Sequence, residues 1–258
     1  MRNILEKYLI SIETEKSHRL QAFFAQNVFK QNNLSFHIFG VKGADLPTTQ
    51  YFKLAVANRE RPLSPAELGC TLSHVQAIEH FLETDQQYAV FFEDDAIQKY
   101  DFSLEQLEQE MLKLNLAPSF LLSLGGIQLS FSEKVKGTLI ENKLFGKNVL
   151  AIHPYYYKNL SSTYAYILDR DMAKILVEYH QPPHGCDHWG DLSALDNVPH
   201  LYATYLFDHP EIISDQSNSY IEQERVKVKG IKQNKAQLSL YVQLINKLAR
   251  LRLQKYHD

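Results

Sequence analysis

The chain has 258 residues, of which 45% are apolar and 22% charged, and a formal net charge of −3. That length suits one large domain or two small ones. No run of eighteen apolar residues appears, so no membrane-spanning helix is expected. Met1 to Lys7 lacks the apolar core and cleavage site of a signal peptide. Cys70 and Cys186 are the only cysteines, too few for a disulfide scaffold or a cysteine zinc site, and a reducing cytoplasm is the simplest compartment. The charge is unevenly placed. From Arg225 onward nine Lys and Arg residues face one acid, Asp258, so an acidic body of residues 1–224 carries a basic accessory segment, 225–258.

Tyr8-Leu9-Ile10-Ser11-Ile12 reads as a first strand, and Glu13 to Phe29 as a helix with Leu20, Phe23, Phe24 and Phe29 on its apolar side. Arg19, near the helix start, either meets a nucleotide phosphate or lies on the surface. Phe36-His37-Ile38-Phe39 is a second strand, ended by Gly40 and Gly43. This strand–helix–strand order favours an α/β fold with parallel pairing. Residues 44–63 read as a loop with one short helix at Tyr51 to Ala57.

Ser64-Pro65-Ala66-Glu67 starts a helix, with Ser64 as cap, Pro65 at the first helical position and Glu67 completing a capping box. The helix runs to Glu83 and should turn Leu68, Leu72, Val75, Ile78 and Leu82 to the core. Glu67, Cys70, Thr71 and His74 share a neighbouring stripe. Either that stripe lines a cleft, or Glu67 only caps and His74 is a satisfied, partly buried histidine.

The stretch that organises the chain is Tyr88-Ala89-Val90-Phe91-Phe92-Glu93-Asp94-Asp95-Ala96. Its first part reads as a strand buried on both faces. Three adjacent carboxylates repel one another and cannot be buried unpaired, so something cationic should meet them. The strand's carboxyl end is where an open α/β sheet binds ligands, and a hard divalent cation with a bound phosphate suits such a place. An acidic turn left in solvent is the plainer alternative.

Phe102 to Leu116 is a further helix, with Leu104, Leu107, Met111, Leu112 and Leu114 apolar. Phe120-Leu121-Leu122-Ser123-Leu124 is a buried strand closed by Gly125-Gly126, a turn without a phosphate-loop pattern. Residues 130–150 read as a hairpin or loop. Tyr155, Tyr156 and Tyr157 either stack on a sugar face or pack inside. Ser161 to Leu168 alternates as a strand, with Tyr164 and Tyr166 on one side, and Asp169 caps a helix from Arg170 to about Tyr179. In the ionisable cluster that follows, His184, Asp187, His188 and Asp191 can each supply a metal ligand or a base. Leu201 to Phe207 is the last core strand, Asp215 to Tyr220 a polar loop, and Gln237 to Leu253 an amphipathic helix.

Ala66-Glu67-Leu68-Gly69-Cys70-Thr71-Leu72-Ser73-His74, followed some twenty residues later by Phe92-Glu93-Asp94-Asp95-Ala96, resembles glycosyltransferase family 25, the bacterial lipooligosaccharide galactosyl- and glucosyltransferases. The opening strand with Arg19, the segment Ser162 to Leu168, Asp187 and His209-Pro210-Glu211-Ile212 extend the likeness over residues 8 to about 220. The opening strand departs from the family pattern in ending Ser11-Ile12-Glu13, where an Asn or Asp before the Arg is expected.

The resemblance implies a GT-A-like α/β fold, a mixed and mostly parallel sheet flanked by helices. It also implies inverting transfer of galactose or glucose from a UDP-sugar, with Mn²⁺ or Mg²⁺ as cofactor. Asp95 and Glu93 would be the metal ligands, with His209 beside them. Ser11, Arg19, Glu67, His74 and Asp94 would face the donor. Asp187 would be the catalytic base, with Asp191 in reserve. The acceptor would be a lipooligosaccharide or other glycan at the inner face of the inner membrane, and the basic tail either touches anionic lipid there or packs its apolar stripe on the catalytic domain. No nucleic acid is expected as a partner. A metal-dependent phosphoesterase and a non-catalytic sugar-binding module are the other classes open to this chain.

Overall fold

The computed structural model describes residues 4–30, 35–59, 61–210 and 252–257. In chain order the elements are β1 (Leu5–Ile10), α1 (His18–Ala25), β2 (His37–Phe39), α2 (Thr48–Tyr51), α3 (Pro65–Glu83), β3 (Tyr88–Glu93), β4 (Ile97–Gln98), α4 (Leu104–Lys113) and β5 (Phe120–Ser123). They continue with β6 (Gly137–Leu139), β7 (Leu150–Ile152), β8 (Ala165–Asp169), α5 (Arg170–Tyr179), β9 (His200–Ala203) and β10 (Phe207–Asp208). Eight strands form one sheet in the order β2-β1-β3-β8-β5-β9-β7-β6, and β4 pairs with β10 apart from it. All strands of the large sheet except β8 and β7 run in one direction. This is the expected mixed, mostly parallel α/β sheet.

Both faces of the sheet are buried. On one, Leu9, Phe92, Leu122 and Ile167 pack with Phe23 of α1 and Leu107 of α4. On the other, Tyr8, Phe91, Leu121 and Tyr166 pack with Ile78 of α3 and Met172 of α5. β3 therefore alternates between two cores, which is why its sequence is an unbroken apolar run. Aromatic stacking crosses the strands, with Phe91 between Tyr8 and Tyr166 at ring-centroid distances of 4.9 and 4.8 Å.

Helix ends follow local chemistry more closely than apolar periodicity. The helix expected from Glu13 begins only at His18, because Ser17 caps it by accepting from the Leu20 amide. It stops at Ala25, because Gln26 turns extended and its side-chain amide reaches the Ala96 carbonyl at 2.8 Å. α4 is likewise shorter than expected. Ser103 and Gln106 form a capping box at its start, and Asn115 beyond its end takes a left-handed φ of 50°. Leu112, expected on its apolar side, is exposed.

α3 keeps its expected bounds and capping box, but its buried face is rotated from the expected one. Thr71, Ser73, His74, Ala77 and Phe81 are buried, whereas Leu72, Val75 and Leu82 are only half-buried. The reason is backbone proximity along the small-residue side. The segment 41–45 lies directly on the helix, so that a Cβ on Gly69 would sit 2.5 Å from the Val41 carbonyl oxygen and 2.7 Å from the Gly43 amide.

Two strand readings are corrected. Tyr164 and Tyr166 do not share a side; the strand begins at Ala165, and the two tyrosines enter opposite cores. The expected strand Leu201 to Phe207 is two strands, because Thr204 bonds the Asn148 carbonyl and the chain leaves the sheet to reach β4. The tyrosine cluster is largely internal: Tyr156 and Tyr157 are buried, and Tyr157 Oη donates to the Pro199 carbonyl at 2.7 Å. The expected loop Asp215 to Tyr220 lies outside the described residues, as does all but the end of the expected helix Gln237 to Leu253. At that end Gln254 forms an antiparallel bridge with Gly137, and Leu253 and Tyr256 pack on the core.

Gly69→Ala is expected to destabilise the protein by roughly 1–3 kcal/mol of overpacking, although alanine favours a helix by about 1 kcal/mol. Gly185→Ala, whose added methyl would meet its nearest neighbours at 3.8 and 3.9 Å, should be near neutral. Urea denaturation of both variants decides; equal midpoints would mean that segment 41–45 yields without cost.

Candidate active site

β3 ends at Glu93, and the chain leaves the sheet through Asp94 and Asp95 at the carboxyl edge of β1 and β3. Ser11, just past β1, donates from Oγ to Asp94 Oδ2. Arg19, in the first turn of α1, lies across both aspartates. Its Nε pairs with Asp94 Oδ1, and its guanidinium NH2 nitrogen pairs with Asp95 Oδ2 at 2.7 Å. His209, after β10, brings Nε2 to 3.2 Å from the same Asp95 oxygen. Glu93 turns the other way, accepting from Thr163 Oγ1 at 2.6 Å, with His74 Nε2 at 3.4 Å.

The cation required beside the triplet is thus supplied first by the protein. Burial raises the Asp94 carboxyl pKa to about 6, against Arg19 and the Ser11 hydroxyl, which lower it. Burial acts in the same direction on Asp95, but His209 and Arg19 outweigh it and hold that carboxyl below its usual value. Burial disfavours the charged His209 ring; Asp95 more than compensates, and the His209 pKa lies above the ordinary histidine value.

A cavity of about 710 Å³ opens over this edge. Of the residues singled out from the sequence, Ser11, Arg19, Glu93, Asp94, Asp95, Asp187 and His209 line it. Glu67, His74 and Asp191 do not. Glu67 is occupied in the capping box and by Arg61 at 3.0 Å. His74 is buried behind Glu93, with Nδ1 2.9 Å from the Tyr166 hydroxyl. Asp191 sits on the turn Gly190–Ala194, its side chain 69% exposed and 3.9 Å from His188. Asp187 Oδ2 accepts from the Ser162 amide at 3.2 Å.

Several lining residues were not anticipated as site residues. Thr163 lies inside a segment that carried the family likeness, but a threonine entering a strand gives no sign of bonding a carboxylate. Lys42 and Asp45 line the cavity because segment 41–45 packs on α3. Phe131, on the turn Ser130–Ser132, is an exposed aromatic at the rim, and nothing in its local sequence marks it.

The family model described as glycosyltransferase family 25, LPS biosynthesis protein, matches residues 4–189. The chain belongs to glycosyltransferase family 25. A comparison with curated proteins finds no match. The matched span holds the α3 motif, the acidic triplet and Asp187, and ends before Asp191 and His209. This family 25 chain is therefore a glycosyltransferase of lipopolysaccharide biosynthesis with an α/β fold. No described helix is long and apolar enough to cross a membrane.

The acidic edge has the chemistry for a hard divalent cation. Its donors are carboxylate oxygens, which suit Mg²⁺ and Mn²⁺. Asp95 Oδ1 is buried without a side-chain partner among the described residues, which leaves an acceptor that a bound cation could use.

The His209–Asp95 pair carries a pH signature. A histidine whose folded pKa is raised adds stability that is full below its unfolded pKa of about 6.5 and fades as pH rises through the folded value. In metal-free protein, His209→Gln should lower the melting temperature at pH 6 more than at pH 9. A loss of equal size at both pH values would remove the charged pair from the account.

Proposed function

We propose that this glycosyltransferase moves a hexose, galactose or glucose, from a UDP-sugar to a lipooligosaccharide-type acceptor, with inversion at the anomeric carbon and with Mn²⁺ or Mg²⁺ bound. The observation that carries this reading is the acidic edge at the wall of a cavity of about 710 Å³, a volume within the usual range for small-molecule sites. Asp95 and Glu93 are the residues that would hold the metal. A bound divalent ion neutralises the charge that develops on a departing diphosphate.

The chain's own residues account for the remaining roles. Arg19 and Ser11 keep Asp94 and Asp95 ordered at one edge despite their mutual repulsion. Lys42, exposed at the cavity wall, adds a positive charge that a diphosphate would meet. Inversion is a single displacement, so the acceptor hydroxyl must lose its proton as it attacks. Asp187 is the carboxylate we assign to that proton: it lines the same cavity, and the Ser162 amide holds one of its oxygens.

The two alternative classes fit less well. A phosphoesterase normally collects its ligands from several strand ends, whereas these carboxylates come from one turn. A sugar-binding module would need the tyrosine cluster at the surface, and Tyr156 and Tyr157 are buried. For the basic tail, peripheral contact with anionic lipid remains our reading. Leu253 and Tyr256 pack on the core instead, so the contact would rest on the charges before them, most of which lie outside the described residues. The full chain should sediment with anionic but not neutral vesicles and be released by high salt. Sedimentation independent of lipid charge would remove the tether.

UDP-galactose or UDP-glucose should raise the melting temperature only with Mn²⁺ or Mg²⁺ present, because a ligand stabilises the folded state it binds by an amount that grows with the logarithm of [L]/Kd. Asp187→Asn should retain that shift while turnover falls by about a hundredfold or more. Unchanged turnover would exclude Asp187 as the base, and a lost shift would place it in the donor site.

A further inference from the structure

Behind the acidic edge lies a second cluster of different chemistry. Cys70 on α3 and Cys186 on the segment after α5 bring their Sγ atoms to 3.3 Å, and both line the cavity wall. His74, one turn beyond Cys70, completes the group, with one ligand atom from each residue lying within 4.8 Å of the others. We propose that Cys70, His74 and Cys186 form a site for a thiophilic divalent ion, Zn²⁺, different in its donors from the carboxylate edge, whose Glu93 adjoins His74.

Three observations carry this. The first is the state of His74. Its Nδ1 is held by the Tyr166 hydroxyl at 2.9 Å, whereas its buried Nε2 makes no hydrogen bond among the described residues and faces the Glu93 carboxylate at 3.4 Å. A ring fixed through one nitrogen, with the other free of any hydrogen bond, is the arrangement that second-sphere bonding produces in metal-binding histidines. The second is spacing. Two thiolates on a tetrahedral zinc, each about 2.3 Å from the metal, stand about 3.8 Å apart, whereas a disulfide needs about 2.0 Å. The observed 3.3 Å is nearer the metal-bound separation, and side-chain rotation closes the difference. The third is donor type. Two sulfurs and an imidazole select zinc over manganese or magnesium, which prefer oxygen.

Two cysteines do not make an all-cysteine zinc site, and the missing ligand here is the histidine four positions after Cys70. With three protein ligands, a fourth position is left for water or a bound group. Both thiols must give up a proton as the metal binds, so uptake releases about two protons per ion. The bound ion would fasten the segment bearing Asp187, which follows Cys186 directly, to α3.

Cobalt(II) is the probe. The reduced, metal-stripped full chain, titrated with Co²⁺ without air, should develop a thiolate-to-cobalt band in the near ultraviolet and strong visible absorption of a four-coordinate centre. One equivalent of Zn²⁺ should abolish both and release about two protons; Mn²⁺ at the same concentration should not. Cys70→Ser and Cys186→Ser should each weaken or remove the thiolate band, whereas Asp95→Asn should keep it, separating this site from the carboxylate edge. No thiolate band in the folded wild type would overturn the proposal. So would a full band surviving in Cys186→Ser, or Mn²⁺ displacing Co²⁺ as well as Zn²⁺.

Discussion

The pairing of Arg19 with Asp94 and Asp95 is the contact on which this architecture turns. The two aspartates sit at a sheet edge with side chains only 7% and 13% exposed. Two unit charges 4 Å apart repel by about 4 kcal/mol near a protein surface, and burying either one alone costs several more. One guanidinium reaching both carboxylates removes most of that penalty. It also ties α1 to the exit of β3, two elements some seventy residues apart in sequence. His209 adds a further contact from the far end of the described body. The loops that make the cavity are therefore held by charge at the place where the sheet leaves off.

Much of the architecture could be read in the sequence because it follows from burial. β3 and β5 are uninterrupted apolar runs because both faces meet helices, and α3 is delimited by a capping box that announces itself in four residues. What could not be read has a common cause, namely contacts between residues distant in sequence. Gln26 stops α1 because Ala96 offers it a carbonyl. The buried face of α3 is rotated because segment 41–45 lies on Gly69. Thr204 breaks the last strand because Asn148 is waiting. Periodicity within one helix or strand cannot register any of these.

The site divides along the same line. That three adjacent carboxylates need a cation follows from electrostatics alone, and Arg19, Ser11 and His209 do converge there. Which groups face the cavity is a matter of rotation. Glu67 and His74 share the expected stripe with Cys70, yet only Cys70 reaches the cavity lining. Glu67 is taken up by its own helix start and His74 is screened by Glu93. Asp187 and Asp191 lie four positions apart, and the turn between them sends one to the cavity and the other to solvent.

The far border of the sheet is partly paired by residues 252–257. β6 is the last strand, and its first residue, Gly137, exchanges backbone hydrogen bonds of 3.0 Å with Gln254. An unpaired border strand presents free amides and carbonyls to any other extended chain, a common route to self-association. Here that invitation is partly withdrawn by residues 252–257. Removing residues 252–257 would give back to this border the one pairing position that the fold has filled.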